Sequence, residues 1–453
     1  MKKESAIFVF RRDLRIKDNT GLIYALKENE NVIPVFILNP EQLSGKYFGK
    51  KSAKFMKESL IDLNKELGKY HSNLRILYGK PSEEILKYAK EKQILRVYAN
   101  RDYTPFSIER DRLIHNSLKS AEIEFKLYED YLLNSPELIV SPTGNNYKMF
   151  SPFFNRCKIN PVKSPQNTPV DKFLKSDNCN LEKLDLIDCD ESELQIQGGR
   201  THAIKIVNNL KNFKEYKNER DFPSINGTTN FSAHLKFGTI SVRELFYKIT
   251  ESLGESHPLI RQLYWRDFFT YIAFNKPKVF GTCFVEKYEK IKWNEDKEFL
   301  EAWKKGLTGF PIVDAGMRQL VKTGLMHNRV RMIAASFLVK DLHIDWRKGE
   351  EFFAQHLIDY DPCVNNGNWQ WCASTGCDSQ PYYRIFNPWL QQEKFDSDCI
   401  YIKNWVSELK ELTARQIHRL FEDFPNGLNY PKPIVNHKEE SELSKATYRN
   451  ILN

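Results

Sequence analysis

The sequence has no pair of cysteines at the spacing of a common metal or redox motif. Its 8 cysteines are scattered, and none lies in a Cys-x-x-Cys pattern. Neither a zinc site nor a disulfide framework is therefore indicated. Reduced thiols are the simplest interpretation, so we expect a cytoplasmic protein that binds no metal.

Long apolar runs are missing as well. No stretch approaches the ~20 residues that a membrane-spanning helix needs. The first apolar run is short and ends at Arg11–Arg15, which predicts a β-strand and not a signal peptide. No Gly-x-Gly-x-x-Gly follows this strand, so the dinucleotide site of a typical dehydrogenase is not expected.

The chain is instead rich in aromatic residues and positive charge. Its 453 residues include 8 Trp, 21 Tyr and 30 Phe, and the net charge is +9. This length predicts two or three domains. The charge permits a polyanionic partner, although many basic enzymes never bind nucleic acid.

Residues 1–130 alternate short apolar runs with amphipathic ones. This alternation predicts an α/β domain with a doubly wound, parallel, five-stranded sheet. Ligands of such sheets bind beyond the carboxyl ends of the strands, here near Arg11–Arg15, Asn39 and Asn100–Tyr103. The predicted strands are Ala6–Phe10, Val32–Leu38, Leu74–Tyr78, Leu95–Ala99 and Glu124–Tyr128.

The rest of the chain changes character twice. Proline recurs through residues 131–195 among Ser, Asn and Thr, which predicts a long linker over the surface. From residue 196 to 453 the periodicity is helical, so an all-α domain is expected. The predicted helices include Leu259–Phe274, Phe299–Lys305, Pro311–Thr323 and Val330–Val339. Gly324, Gly349 and Gly367 are interpreted as punctuation between helices.

The run Asp359–Trp371 places carboxylates and Asn amides next to two Trp. Such a mixture suits a site that holds a flat polar ring by hydrogen bonding and stacking. Two indoles that only fill a core are the alternative.

Two other segments carry groups that bind phosphate or carboxylate. The hydroxyl-rich loop Asn226–Ser232 can hold a phosphate on its backbone amides and hydroxyls, or it is an ordinary helix-capping turn. Arg318–Lys348 contains seven Lys/Arg and two Asp. Its Arg329 and Arg331 lie two residues apart, hence on different helix faces, and suit pairing with acids or phosphates.

Several long motifs then occur in one order along nearly the whole chain. They resemble the photolyase/cryptochrome family, and within it the microbial cyclobutane pyrimidine dimer photolyases. The resemblance implies a light-driven DNA repair enzyme, a carbon–carbon lyase, with FAD in the helical domain. The motifs are Phe10–Arg15, Tyr264–Phe268, Gly309–Arg318, Met326–Met332, Asp345–Arg347, Asn365–Thr375 and Arg384–Pro388.

The resemblance also implies which residues surround the flavin. Thr228–Ser232 would take the diphosphate, and Arg331 would pair with Asp359. Asn365 would face the reactive ring nitrogen, where a neutral amide tolerates the anionic reduced flavin that an acid would repel. The whole cofactor set is Tyr216, Thr228, Thr229, Asn230, Phe231, Ser232, Trp265, Asn328, Arg331, Asp359, Asp361 and Asn365.

Electron transfer and DNA binding follow from the same resemblance. Electrons would run through Trp369, Trp346 and Trp293 between the flavin and the surface. UV-damaged DNA would present a flipped pyrimidine dimer, at an unstacking cost of a few kcal/mol. Trp265 and Trp371 would flank the dimer and Met332 would contact it, while Arg220, Arg329 and Arg384 would hold phosphates or the rim.

One residue departs from the pattern. Dimer photolyases usually carry Glu where this chain has Gln262. A Gln amide still donates and accepts hydrogen bonds, but it supplies no carboxylic proton. Gln is more usual in (6-4) photolyases, yet that class has a paired-His segment where only His327 is present here. A (6-4) photolyase is therefore the alternative, followed by a cryptochrome photoreceptor without repair activity.

A second, antenna chromophore is expected in the N-terminal domain. The local sequence near Asn100 differs from that of folate-binding members, so a flavin or deazaflavin near Arg11–Arg15, Phe36 and Asn39 is expected instead. An empty groove is the alternative. The protein is expected to act as a monomer.

Overall fold

Five strands rich in β-branched and aromatic residues form one parallel sheet in this computed structural model, which describes residues 5–176 and 179–452. The strand order is β3-β2-β1-β4-β5, and every neighbouring pair is parallel. Each predicted strand is found with its ends shifted by no more than one residue. The strands are β1 (Ser5–Phe10), β2 (Asn31–Leu38), β3 (Arg75–Tyr78), β4 (Arg96–Asn100) and β5 (Glu124–Tyr128).

The chain divides into two compact units. The first comprises Met1–Lys214 and Thr229–Pro277, and the second comprises Glu215–Thr228 and Lys278–Asn453. The domain boundaries that the sequence predicts at residues 130 and 195 stay predictions. Helices of the first unit are α1 (Thr20–Glu28), α2 (Pro40–Leu43), α3 (Lys50–Gly68), α4 (Pro81–Glu91), α5 (Pro105–Lys119), α6 (Phe150–Ile159), α7 (Arg200–Asn208), α9 (Phe231–Phe237), α10 (Val242–Leu253) and α11 (Pro258–Asn275).

The three inner strands β1, β2 and β4 are buried on both faces, as a doubly wound sheet requires. Ile7, Val35 and Val97 on neighbouring strands are fully buried and share a core cluster with Ile85 of α4 and Leu118 of α5. The predicted α/β class with five parallel strands is confirmed.

A buried charge cluster ties α10 to the segments beside the sheet. The Arg243 guanidinium donates to Asp18 Oδ2 at 3.1 Å and to Asp130 Oδ1 at 2.8 Å, and Arg15 also bonds Asp130. Burial alone would raise the pKa of Asp130, but the two guanidiniums hold it below its usual value. All four charges are paired, which is the condition for burying them.

Helix α6 lies in the stretch that the sequence predicts as an open linker. Its Phe150, Phe153 and Cys157 are buried, so this stretch packs onto the first unit. The sequence did not predict this helix because Pro152 suggests a break. Proline is nevertheless tolerated in a first helical turn, where the backbone N–H has no partner within the helix.

The second unit is helical. Its core cluster joins residues of α13 to α16, among them Val313, Ala334, Trp346 and Trp369. The helices are α8 (Tyr216–Glu219), α12 (Lys297–Lys305), α13 (Pro311–Thr323), α14 (Asn328–Ser336), α15 (Trp346–His356), α16 (Pro362–Cys372), α17 (Pro388–Phe395), α18 (Ile400–Trp405), α19 (Ala414–His418) and α20 (His437–Leu452).

Two local predictions in this unit are only partly right. The predicted helix Val330–Val339 changes type within its length, because α14 passes into a buried π-helix, Phe337–Asp341, closed by Leu342 N donating to Phe337 O at 3.0 Å. Gly324 does end α13 with a φ of 73°, but Gly349 and Gly367 lie inside α15 and α16.

Short 3-10 helices also occur in both units. They are Pro136–Leu138, Val170–Lys172, Leu181–Leu186, Leu210–Phe213, Pro277–Val279, Glu286–Lys290 and Ser407–Leu409. Within residues 5–176 and 179–452, no helix combines the length and apolar character that crossing a membrane requires.

Candidate functional site

Helix α16 starts with strong local signals. The Asp361 carboxylate accepts hydrogen bonds from Cys363 N at 3.0 Å and Val364 N at 3.2 Å, and Pro362 occupies the first helical position. An acidic cap followed by proline is a favourable helix start. Asp361 therefore fixes the direction in which α16 presents its side chains.

Arg331 and Asp359 form the ion pair that the resemblance implies. Arg331 Nη2 lies 3.0 Å from Asp359 Oδ2, and Arg331 Nε donates to Met326 O at 2.8 Å. The Asp359 side chain is only 5% exposed, and its Oδ1 is buried without a hydrogen-bond partner among the described residues. Because buried acceptors are normally satisfied, this oxygen fits a donor from a bound molecule.

Asn365 follows Asp361 by one helical turn. It is 9% exposed, and its Nδ2 donates to Glu350 O at 3.2 Å. The side-chain amide is held by α15, and it places a neutral group on the same helix as the Asp361 cap.

An amide network that the sequence prediction missed holds α16 in place. Asn366 donates to Glu350 Oε1 at 3.1 Å and to Val279 O at 3.1 Å. Gln370, one turn later, donates to Val279 O at 3.0 Å and accepts from Phe284 N at 2.7 Å. The sequence signal for this network is a pair of amide side chains, Asn366 and Gln370, which lie four residues apart on a helix that also carries two Trp.

Trp369 is buried at the contact of α15 and α16. It is 2% exposed, and its ring packs edge-on against Phe353 and Trp303, with centroid distances of 4.9 and 6.2 Å. A Cβ added at Gly349 would lie 2.2 Å from Trp369 Cη2. The indole of Trp369 therefore occupies the space that a side chain at position 349 would need.

The other two predicted electron carriers follow along the same elements. Trp346, the first residue of α15, is fully buried, and the Arg347 guanidinium lies 4.8 Å from its ring centroid. Trp293 is half-buried, and the backbone N–H of the next residue, Asn294, donates to His343 O at 2.7 Å. Burial thus decreases from Trp369 and Trp346 to Trp293, while the electron-transfer role stays a prediction.

The residues of the second unit that are predicted to contact DNA differ in their burial and in their partners. Trp371 and Met332 are half-buried against the core, and Arg384 is exposed. Arg329 bonds Asp221 at 2.9 Å and lies 4.3 Å from the Phe395 ring centroid. A phosphate at Arg329 would therefore compete with Asp221 for the guanidinium.

Four residues predicted to contact the cofactor or DNA form two pairs, each joined by one contact. The Arg220 guanidinium lies 5.7 Å from the ring centroid of Tyr216, whose phenol is 8% exposed. Asn328 is exposed, and its Nδ2 lies 3.6 Å from Met332 Sδ.

The loop before α9 has a helix end without a side-chain cap. Asn230 is left-handed, with a φ of 54°, and makes no capping hydrogen bond. Thr228 and Thr229 are half-buried, Phe231 is 5% exposed and Ser232 is exposed. Amide groups at such an end are suited to an anion.

In the first unit, Trp265 is stacked on Phe150. The two rings lie 3.7 Å apart at an angle of 4°, so one face of the indole is covered. The Arg261 guanidinium lies 4.7 Å from the Phe150 centroid. Gln262 is half-buried on the same helix. Phe150 was missed because the segment that carries it was predicted to be a linker.

His327 caps α14, which carries Arg329, Arg331 and Met332. Its Nδ1 accepts from Arg329 N at 3.2 Å, which requires a neutral acceptor nitrogen. Burial lowers the pKa of His327 to about 4. As pH falls below the ordinary value near 6.5, the unfolded chain takes up the proton first, so this stability is lost between about pH 6.5 and pH 4.

We therefore expect His327→Asn, which keeps a capping acceptor but does not titrate, to flatten the fall of melting temperature with acidification. The expected difference is on the order of 1–2 kcal/mol at pH 5. His327→Ala should cost about 1 kcal/mol at pH 7.5, because the cap is lost, and this deficit relative to wild type should shrink on acidification, because alanine does not titrate either. Thermal melts between pH 7.5 and 4.5 measure this, and identical slopes for wild type and the Asn variant would refute it.

Comparison with known proteins covers both units. Residues 6–170 match the family described as DNA photolyase, and residues 259–450 match the FAD binding domain of DNA photolyase. The deoxyribodipyrimidine photo-lyase of Synechococcus sp. is 35% identical, covering 98% of this chain and 96% of its own. The enzyme of that name from Vibrio cholerae is also 35% identical, covering 97% and 98%.

Solved structures agree. An archaeal photolyase from Sulfolobus tokodaii, described with two FAD molecules, has 43% identity and a TM-score of 0.91, covering 98% of this chain and 100% of its own. A class III photolyase from Agrobacterium tumefaciens has 32% identity and a TM-score of 0.92, covering 100% and 98%. The predicted all-α FAD-binding region is confirmed, and the chain belongs to the DNA photolyase family.

Proposed function

We propose that this protein is a deoxyribodipyrimidine photo-lyase that repairs cyclobutane pyrimidine dimers in DNA under light. The observation that carries the proposal is the Asp359 carboxylate, paired with Arg331 on one oxygen and open on the other. It lies in a chain whose full-length relatives bear that enzyme name.

FAD, when bound and reduced, supplies the electron that light sends to the dimer. Asp359 Oδ1 would accept a hydrogen bond from it, and the ion pair with Arg331 holds that carboxylate in place. Asn365 would offer a neutral amide where negative charge develops. Thr228, Thr229, Asn230, Phe231 and Ser232 would take the diphosphate, and Tyr216, Trp265, Asn328 and Asp361 complete the proposed cofactor set.

On the substrate side, Trp265 and Trp371 offer aromatic surface to a flipped lesion and Met332 an apolar contact. Arg220, Arg329 and Arg384 would bind flanking phosphates or the rim, so binding is expected to weaken with salt. Trp293, Trp346 and Trp369 would return electrons from the surface to an oxidised cofactor. Full-length relatives named deoxyribodipyrimidine photo-lyase favour this dimer over the (6-4) lesion.

Gln262 would set how efficiently the lesion is repaired. Its amide donates and accepts hydrogen bonds, but it has no proton to give to a reduced dimer. Gln262→Glu should therefore raise the number of dimers repaired per absorbed photon severalfold. Gln262→Leu, which keeps the size and removes the hydrogen bonds, should lower it.

The test is repair of defined oligonucleotides that carry either a cyclobutane dimer or a (6-4) lesion, with and without blue light. We expect repair of the cyclobutane dimer only, and only in the light. Repair in the dark, or of (6-4) lesions alone, would overturn the function. A Glu variant no better than wild type would overturn the role of Gln262.

The antenna proposal concerns the first unit. We propose a second flavin-type chromophore near the carboxyl ends of β1 and β2, at Arg11–Arg15, Phe36 and Asn39. The Sulfolobus tokodaii photolyase described with two FAD molecules supports a flavin more than a deazaflavin or folate. Chromatography of the pigments extracted from the purified protein identifies it. We further propose that the protein acts as a cytoplasmic monomer, in keeping with its scattered cysteines.

A further inference from the structure

The second unit has a basic cleft that shares no residue with the proposed cofactor and lesion sets. Its volume is about 810 Å³, within the size range of small-molecule and cofactor sites. We call it the lysine groove, after the residues that matter for its chemistry: Lys304, Lys305, Lys322, Lys410, Phe352 and Trp405.

The charge in the lysine groove is only partly neutralised. Lys304 bonds Glu301 at 2.9 Å, and the neighbouring Arg318 bonds Glu408 at 2.8 Å. Lys305, Lys322 and Lys410 are exposed, and none of the three forms a salt bridge with any residue in the described ranges 5–176 and 179–452. Three ammonium groups around one cleft favour an anion with several charges.

Aromatic rings lie beneath two of the lysines. Lys322 Nζ is 5.9 Å from the Trp405 ring centroid, and Lys304 Nζ is 5.8 Å from that of Phe352. Phe352 is held by Trp303 on one side, with a centroid distance of 5.6 Å, and by His356 at 4.1 Å. Trp405 is half-buried, so its indole keeps accessible surface in a defined position.

Ammonium groups next to the partly accessible ring of Trp405 match a ligand that alternates phosphates with flat bases. Single-stranded nucleic acid is bound in this way by other proteins, through a basic groove and stacking side chains. Val321 at the rim is 42% exposed, so the cleft is open to solvent there. A purely solvated lysine face would need neither the cleft nor the rings.

We propose that the lysine groove binds a few nucleotides of single-stranded nucleic acid, as a second site outside the repair centre. The proposal does not depend on the repair reaction, because undamaged strands satisfy its chemistry. It is therefore tested in the dark, where failure of the repair function has no effect on the result.

The probe is a fluorescein-labelled, undamaged thymidine oligonucleotide, with binding to the full chain followed by anisotropy. Lys305→Gln, Lys322→Gln and Lys410→Gln together should weaken binding at least about tenfold at low salt. They should also lower the slope of log K against log salt by about 2. Trp405→Leu should weaken binding about fivefold or more through lost stacking.

The matched control replaces Lys287, Lys290 and Lys292, three exposed lysines of the same unit, by Gln. It changes net charge equally and should leave affinity within about twofold of wild type. Light-dependent dimer repair should be unchanged in all variants, since none carries a repair residue. Thermal melts should be unchanged in the lysine variants, and Trp405→Leu, which loses packing on the core, is compared at a temperature where its melt shows it folded. Equal losses in groove and control variants would overturn the proposal. So would competition by thymidine triphosphate at the affinity of the strand, because the site would then take a free nucleotide.

Discussion

Trp369→Phe is expected to reduce the photoreduction of oxidised flavin at least about a hundredfold, which corresponds to about 2.7 kcal/mol in barrier. The indole is nearly fully buried and packs over Gly349 of the helix that begins with Trp346. Phenylalanine fills most of the same space, but its ring is far harder to oxidise. Repair by protein reduced beforehand should change by less than about twofold, because in the proposed reaction the electron for repair passes from the flavin to the dimer and not through this residue.

The measurement is loss of the oxidised-flavin absorption under blue light with an external reductant, next to repair by chemically reduced protein. Trp303→Phe is the matched control, because Trp303 is equally buried and contacts Trp369 at 6.2 Å but lies outside the predicted chain. It should retain photoreduction. Normal photoreduction in the Trp369 variant would refute the electron path.

Gly349→Ala should destabilise the protein by about 2–3 kcal/mol, at the upper end of overpacking effects. The new methyl would lie 2.2 Å from Trp369 Cη2 and 2.6 Å from Leu338 Cδ2. Neither group can move freely, since both belong to the buried core. The indole must tilt or α15 must shift, so photoreduction should slow as well.

Thermal and denaturant melts measure the loss, and Gly68→Ala is the control. Gly68 is also helical, but an added Cβ there meets nothing within 4 Å. It should be neutral or stabilising by up to about 1 kcal/mol. The double variant Gly349→Ala with Trp369→Phe removes the clashing ring atom and should recover much of the loss. Strictly additive effects would show that the glycine serves another purpose.

Local sequence signals were enough for the sheet and for helix starts. Alternating apolar runs specify the strands, and the apolar periodicity after Pro311 specifies α13, which spans Pro311–Thr323 as predicted. Gly349 shows why the rest was beyond such signals. A glycine in a helical pattern has the same local appearance whether it ends a helix or makes room for an indole twenty residues away in sequence.

The same limit applies to the candidate site. The pairing of Arg331 with Asp359 spans 28 residues, and only resemblance to a known family pointed to it. The Asn366 and Gln370 amides and the Phe150–Trp265 stack depend on backbone carbonyls and rings supplied by distant segments. Their partners exist only once the chain has folded, so no local pattern marks them.

The π-helix Phe337–Asp341 makes the number of residues between α14 and α15 important. It connects the helix of Arg331 to the helix of Trp346, and all five of its residues are buried. Removing one residue would restore α-helical pairing but rotate whatever follows by about 100° about the axis. A substitution here disturbs the packing around one buried side chain, whereas a lost or gained residue would turn Trp346 and its helix away from their partners. A change in the number of residues between the two helices should therefore be more damaging than a conservative substitution among them.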